Sequence, residues 1–290
     1  MDFLNLRSWP EALAVRAERP DAVPIAGGTD VMVELNFDRR RPAALLDLTG
    51  ISELAEWQRT DGMLRIGAGV SYTRIIDEIG SLAPSLAIAS RTVGSPQIRN
   101  RGTLGGNLGT ASPAGDGLPP LAAADAVVEV ESVRGAREIS VRNFFTGAKR
   151  NVLAADELIR AVHLPVADAP QQFAKVGTRN AMVIAVCSFA VALHRGARRV
   201  GTCIGSAGPT PLPAVDAERF LEDVLAAQGL WESRDALDAD TLHHFGELAG
   251  QQARPIDDVR GTASYRRHAV AVLARRTLTW AWEEYRGAVE

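Results

Sequence analysis

Apolar residues along this chain fall in short runs, and glycine-rich or polar breaks separate them. Ser8 and Pro10 open an amphipathic stretch that predicts a helix over Pro10 to Arg19, with proline at an early position a helix tolerates. Val23 to Ala26 reads as a short buried strand running straight into Gly27-Gly28, and Ala43 to Leu48 as another. Asp47 and Thr49 then lead into a predicted helix around Ser52 to Trp57. Leu64 to Ala68 alternates like a strand. Ser71 is placed to cap a helix over Tyr72 to Ile79, with Gly80 as its stop, and Leu82 to Thr92 reads as a second helix. Gly94 through Pro120 reads as loop. Ala126 to Val130 and Arg137 to Val141 predict strands around a turn at Arg134-Gly135.

Ala167 to Gln172 has the composition of a linker, and the pattern changes beyond it. Met182 to Leu193 and Val200 to Ile204 read as strands joined at Arg195-Gly196-Ala197. The run Ser206 to Pro213 is a breaker. Helices follow over about 215–228, 239–251 and 262–286, the last with Val270, Leu273, Thr277 and Trp280 on one face. The expected organisation is α+β in three parts, 1–55, 56–167 and 168–290.

The 290 residues, 46% hydrophobic and 23% charged, are those of an ordinary globular protein with a sizeable core. A formal charge of −3 argues against a nucleic-acid or anionic-membrane surface. The start of the chain has no signal-peptide pattern, and the longest uncharged apolar stretch, Ala181 to Leu193, is too short for a membrane span. Cys187 and Cys203 read as small core residues and fit a reducing, cytoplasmic location.

Two runs carry the chemistry: Ile25-Ala-Gly-Gly-Thr-Asp30, and Arg99-Asn-Arg-Gly-Thr-Leu-Gly-Gly-Asn-Leu-Gly-Thr-Ala-Ser-Pro-Ala-Gly-Asp116. Paired glycines allow sharp turns and bring bare N–H groups against a ligand, where successive amides form a nest for a phosphate. Two such loops suit the two ends of an extended dinucleotide. Arg99 and Arg101 either offset phosphate charge or are simply solvated. Asn107 donates and accepts, which suits a ribityl hydroxyl or a flavin edge. Asp116 either accepts from a ligand hydroxyl or caps a helix ahead of Pro119-Pro120. Other chemistries lack support. No Gly-Lys-Ser/Thr is present. Gly67-Ala68-Gly69 has Tyr72 where a Rossmann fingerprint needs its third glycine. No serine sits in a nucleophile elbow. The five histidines, at 163, 194, 243, 244 and 268, form no spacing for a metal site.

With those runs quoted, the sequence resembles the FAD-binding subunit of the molybdenum hydroxylases, the xanthine dehydrogenase and carbon monoxide dehydrogenase family. The similarity continues through Phe173 to Val186 and Tyr265-Arg266-Arg267, and so spans nearly the whole chain. The resemblance implies a two-subdomain flavin-binding fold of the vanillyl-alcohol-oxidase type, followed by a C-terminal three-stranded antiparallel sheet with a helical bundle. It implies two partners: a molybdopterin-binding large subunit that hydroxylates the substrate, and a small subunit with two [2Fe-2S] clusters. Electrons would run from molybdenum through the clusters to FAD and on to NAD, oxygen or another acceptor, in a dimer of heterotrimers.

By the same resemblance, Ile25, Ala26, Gly27, Gly28, Thr29, Asp30 and Val31 hold the FAD diphosphate. Thr103, Gly105, Gly106, Asn107, Thr110 and Asp116 line the flavin and its ribityl chain. Val93 takes a position that often carries a ring-shielding side chain, where a valine covers less of the flavin. Ile159 lies beside the isoalloxazine, and Lys175 contacts the cofactor. Thr29 stands where some flavoproteins of the broader fold carry a flavin-linking histidine, so FAD is expected to be noncovalent. Two separated cysteines exclude the branch with an extra cluster in this subunit. No catalytic acid, base or nucleophile is named, because the cofactor carries the chemistry. Two rivals are a stand-alone flavin oxidase and a scaffold whose flavin site has decayed. The first lacks an evident base, and the intact loops argue against the second.

Overall fold

The computed structural model describes residues 1–287. The first part is a parallel three-stranded sheet built from β1 (Asp2–Asn5), β2 (Val23–Ile25) and β3 (Ala44–Asp47), in the order β1-β3-β2. Helix α1 (Trp9–Glu18) starts one residue before its expected position, capped by the Ser8 hydroxyl. Helix α2 (Val31–Asn36) follows the first glycine loop directly. The helix expected around Ser52 to Trp57 is a single 3-10 turn, Ser52–Ala55, because Trp57 already begins the next sheet.

That sheet is five-stranded and antiparallel. It comprises β4 (Trp57–Thr60), β5 (Met63–Gly67), β6 (Val127–Ser132), β7 (Gly135–Ser140) and the central β10 (Leu158–Pro165), in the order β4-β5-β10-β6-β7. Between β5 and β6 lie α3 (Tyr72–Glu78), capped by Ser71, and α4 (Pro84–Thr92). The segment expected as loop then forms three short helices: α5 (Pro96–Arg101), α6 (Leu104–Thr110) and α7 (Leu118–Ala123). A small hairpin of β8 (Phe145–Gly147) and β9 (Arg150–Asn151) precedes β10.

The last part is the antiparallel sheet β11 (Gln171–Val176), β12 (Cys187–His194) and β13 (Arg199–Gly205), with β12 central. The strand expected from Met182 begins only at Cys187. Met182 has φ of 50°, and Met182 and Ile184 are exposed. Helices α8 (Val215–Ala227), α9 (Leu230–Ser233), α10 (Ala239–Gln252) and α11 (Ala263–Gly287) complete the chain.

β12 is apolar on both faces because both are covered. Cys187, Phe189, Val191 and Leu193 pack with the helices of the bundle, whereas Ala190 and Ala192 join the core that runs through the first two sheets. An ionic clamp also ties the halves. The Arg142 guanidinium grips the buried Glu218 carboxylate at 2.9 and 3.2 Å, and Glu218 also accepts from the Thr202 amide and hydroxyl at 2.7 and 3.0 Å. No helix among the described residues is long and apolar enough to cross a membrane.

Candidate functional site: a cleft between two glycine loops

Both glycine loops line one cleft of about 950 Å³. They meet because Gly27 has no side chain: a Cβ there would begin 1.9 Å from the Arg101 carbonyl oxygen. Gly28 turns the first loop at φ of 76°, a conformation that favours glycine. The amides of Gly27, Gly28 and Thr29 donate to no acceptor among the described residues, so this loop keeps the free N–H groups that a nest requires. Asp30 makes no side-chain cap to α2. Its carboxylate instead accepts from Thr110 Oγ1 at 3.1 Å, joining the first loop to the second.

The second loop is built differently. Its amides are engaged within the fold: Gly105 N–H donates to Ala68 O at 2.9 Å, and Gly106 N–H to Thr103 Oγ1 at 3.0 Å. Thr103 is therefore the cap of α6. The glycines serve close approach. A Cβ on Gly105 would lie 2.5 Å from that of Ala68, whereas one on Gly106 would meet only Thr103 Oγ1, at 3.0 Å, and one on Gly109 only Ile159 Cδ1, at 3.8 Å. Gly106 and Gly109 thus leave a bare wall on the cleft. Arg99 gives its guanidinium to the Val93 and Gly94 carbonyls at 3.0 and 3.1 Å, while Arg101 lines the cleft.

The deep end is polar and buried. Asp116 and Lys175, 9% and 8% exposed at their side chains, pair at 2.5 Å. Lys175 also donates to Thr92 O at 2.9 Å and Val183 O at 3.2 Å, and Asp116 accepts from Thr92 Oγ1 at 3.3 Å. Burial holds the Asp116 carboxyl above its ordinary value, with the Lys175 ammonium acting in the opposite sense. Gly117, not Asp116, precedes α7, so Asp116 caps no helix. Asp116 Oδ1 and Asn107 Oδ1 are buried without a hydrogen-bond partner. Unpaired buried acceptors are costly and point to a ligand that brings donors.

Most of the sequence-predicted residues line the cleft: Ala26 to Val31, Val93, Thr103, Gly105, Gly106, Asn107, Thr110, Asp116 and Ile159. Ile159 sits beside a β-bulge in β10, between Ile159 and Ala161. Ile25 belongs to a small core with Val23 and Leu45, and Lys175 stands behind Asp116. Sequence reasoning missed the hairpin wall, where Asn151 Nδ2 holds Gly109 O at 3.1 Å and Lys149 pairs with Glu34 at 2.6 Å, depressing the Glu34 carboxyl. It also missed a brace under the cleft. Ser206, at φ of 58°, donates its N–H to Pro113 O at 2.9 Å and its hydroxyl to Ala185 O at 2.6 Å. The buried Arg266 holds the Ser206 carbonyl at 3.0 Å and pairs with Asp258. Only the similarity at Tyr265-Arg266-Arg267 hinted at it.

A free-amide loop facing a bare glycine wall, with unpaired acceptors at one end, fits a long dinucleotide cofactor, and together with the fold defines a flavin-binding subunit. Comparison with known proteins agrees. Residues 1–167 match the family described as FAD binding domain in molybdopterin dehydrogenase, and residues 172–281 the CO dehydrogenase flavoprotein C-terminal domain. The chain belongs to this family, the FAD-binding medium subunits of the molybdenum hydroxylases of the xanthine and carbon monoxide dehydrogenase type. It is 35% identical to the nicotinate dehydrogenase FAD-subunit of Eubacterium barkeri, over 76% of this chain and 79% of that one. It is 28% identical to the xanthine dehydrogenase FAD-binding subunit of Escherichia coli O157:H7, over 93% and 92%. The quinoline 2-oxidoreductase structure from Pseudomonas putida 86 superposes with a TM-score of 0.88 at 26% identity, covering 98% of this chain and 97% of that one.

Proposed function

We propose that this chain is the flavin subunit of a cytoplasmic molybdenum hydroxylase acting on a nitrogen-containing heteroaromatic compound, with NAD or another acceptor as the outlet for electrons. The convergence of both glycine loops on one cleft, with Asn107 Oδ1 and Asp116 Oδ1 unpaired at its deep end, carries the reading. The substrate class rests on the relatives named for nicotinate, xanthine and quinoline, all nitrogen heteroaromatics. Others are named for glyceraldehyde and carbon monoxide, so assay of the intact complex decides the class. The proposed partners are a molybdopterin-binding large subunit and a small subunit with [2Fe-2S] clusters, in a dimer of heterotrimers. The chain divides into flavin subdomains 1–55 and 56–167 and a C-terminal domain 168–290.

When bound, FAD supplies the exchange between one-electron and two-electron transfer. The chain holds it without a covalent link. The amides of Gly27 to Thr29 take the diphosphate, Gly106 and Gly109 let the cofactor lie against α6, which Gly105 seats on Ala68, and Asn107 and Asp116 accept from its hydroxyls. Thr110 braces this wall against Asp30. Ile159 lies beside the ring and Val93 covers part of it, and Lys175 holds Asp116 in place while adding positive charge behind it.

The test is purification of the intact complex from its host and assay with nicotinate, xanthine and quinoline, with NAD or an artificial dye as acceptor. Hydroxylation of one of these compounds by a three-chain flavoprotein supports the reading. A flavoprotein lacking molybdenum and partner chains that turns over an alcohol or amine alone would replace it with the oxidase.

A further inference from the structure

Tyr72 opens α3 as its first residue, and its ring is set into the second loop by two glycines. A Cβ on Gly102 would begin 3.2 Å from Tyr72 Cδ2, and one on Gly117 would begin 3.4 Å from the phenol oxygen. The Tyr72 amide donates to Gly102 O at 3.1 Å, which fixes the ring relative to both ends of that loop. The side chain is 3% exposed and lines the cleft, yet its hydroxyl makes no hydrogen bond among the described residues. Buried tyrosine hydroxyls ordinarily find a partner.

Its surroundings indicate what that partner is. Asn107 Oδ1 approaches the same Gly117 position, at 2.9 Å, and Asp116 Oδ1 is the next unpaired atom in the sequence. Asp116 and Asp30 are the charges acting on the phenol. Burial, reinforced by these two carboxylates, drives its ionisation far upward, so it remains an O–H donor at any ordinary pH. The set is one donor and two acceptors. A phosphate brings only acceptors, and would leave Asn107 Oδ1 and Asp116 Oδ1 unpaired. An alkyl hydroxyl both donates and accepts, and satisfies the set.

We propose that Tyr72, with Asn107 and Asp116, reads the hydroxyls of the flavin's ribityl chain, with the Tyr72 O–H donating to a ribityl oxygen. This deepens the flavin reading above and rests on it. The phenol is a binding group for the polyhydroxyl linker, and the diphosphate stays with the Gly27–Thr29 amides.

The test is Tyr72→Phe in the full chain, which keeps the ring and removes only the oxygen. Three quantities are measured: the FAD and FMN dissociation constants, by flavin fluorescence titration, and the melting temperature of the cofactor-free protein. The expected result is FAD and FMN each bound roughly tenfold more weakly, as for one lost buried hydrogen bond. Cofactor-free melting should be unchanged or higher, because a hydroxyl that bonds no group of the chain and only faces the cleft contributes little stability. A purely structural phenol would instead lower cofactor-free melting and leave the two affinities within twofold of the unsubstituted chain, which overturns the proposal. Weaker FAD with unchanged FMN also overturns it, since it places the hydroxyl at the adenylate half. If the unsubstituted chain binds neither flavin, the flavin reading itself fails, an outcome distinct from the others.

Discussion

Gly105 and Gly106 are neighbours on one helix, the first packed on Ala68 and the second open to the cleft, so the same small insertion should produce opposite failures. In Gly106→Val the new Cβ meets only Thr103 Oγ1, at 3.0 Å, and the rest of the side chain projects along the exposed cleft wall. Valine is roughly 0.3–0.5 kcal/mol better than glycine inside a helix, and the tight Thr103 contact offsets that gain. The cofactor-free fold should therefore change by less than about 0.5 kcal/mol. The two methyl groups occupy the surface against which a cofactor must lie, and FAD affinity should fall at least a hundredfold, about 2.8 kcal/mol. In Gly105→Ala the Cβ begins 2.5 Å from Ala68 Cβ and 2.7 Å from Ala68 O, against backbone at the end of β5 that has no room to shift. Overpacking of this kind costs about 1–3 kcal/mol, or roughly 2–12 °C in melting temperature. Thermal denaturation of the cofactor-free variants and fluorescence titration with FAD separate the two. The reasoning is refuted if Gly106→Val binds FAD like the unsubstituted chain, or if it loses the cofactor only because it no longer folds.

Arg142→Gln removes the cation from the buried Glu218 carboxylate and should cost about 3 kcal/mol, read as a fall of roughly 6–12 °C in melting temperature; Arg142→Gln combined with Glu218→Gln should recover part of it. Glu157 is held below its ordinary carboxyl value by the bidentate Arg137 bond, so its contribution is complete above that ordinary value and is lost as pH falls through the depressed one. Glu157→Gln should therefore be less stable near neutrality by about 1 kcal/mol, Arg137 being half exposed, and should show a flatter acid limb in a melting-temperature-against-pH profile. Ser206→Gly removes the hydroxyl bond to Ala185 O but relieves a left-handed backbone, so melting should move little while FAD affinity falls a few-fold, measured by titration.

The sequence exposed the first loop because a buried apolar run, Val23 to Ile25, ends abruptly in paired glycines, and local pattern alone describes that turn. It did not expose α6. Leu104-Gly-Gly-Asn-Leu-Gly-Thr110 has poor intrinsic helix propensity, and the helix forms because Thr103 caps it and Gly105 packs on Ala68. Central strand β10 was missed because its bulge breaks the alternation that marks a strand. Met182 to Ile184 misled in the opposite direction: the run is apolar because it borders the cleft, not because it pairs in a sheet. The pairing of Asp116 with Lys175 joins residues far apart in sequence. Asp116 stood out in the second run, but only the family resemblance brought Lys175 to notice.

The most direct test of the central claim is the flavin content of the full chain after saturation with FAD, removal of excess cofactor and acid precipitation. The account predicts about one FAD per chain, all released into the supernatant, as the free amides of the first loop and the absence of a flavin-linking histidine there require. A chain that retains no flavin contradicts it, and flavin that stays with the precipitated protein contradicts noncovalent binding.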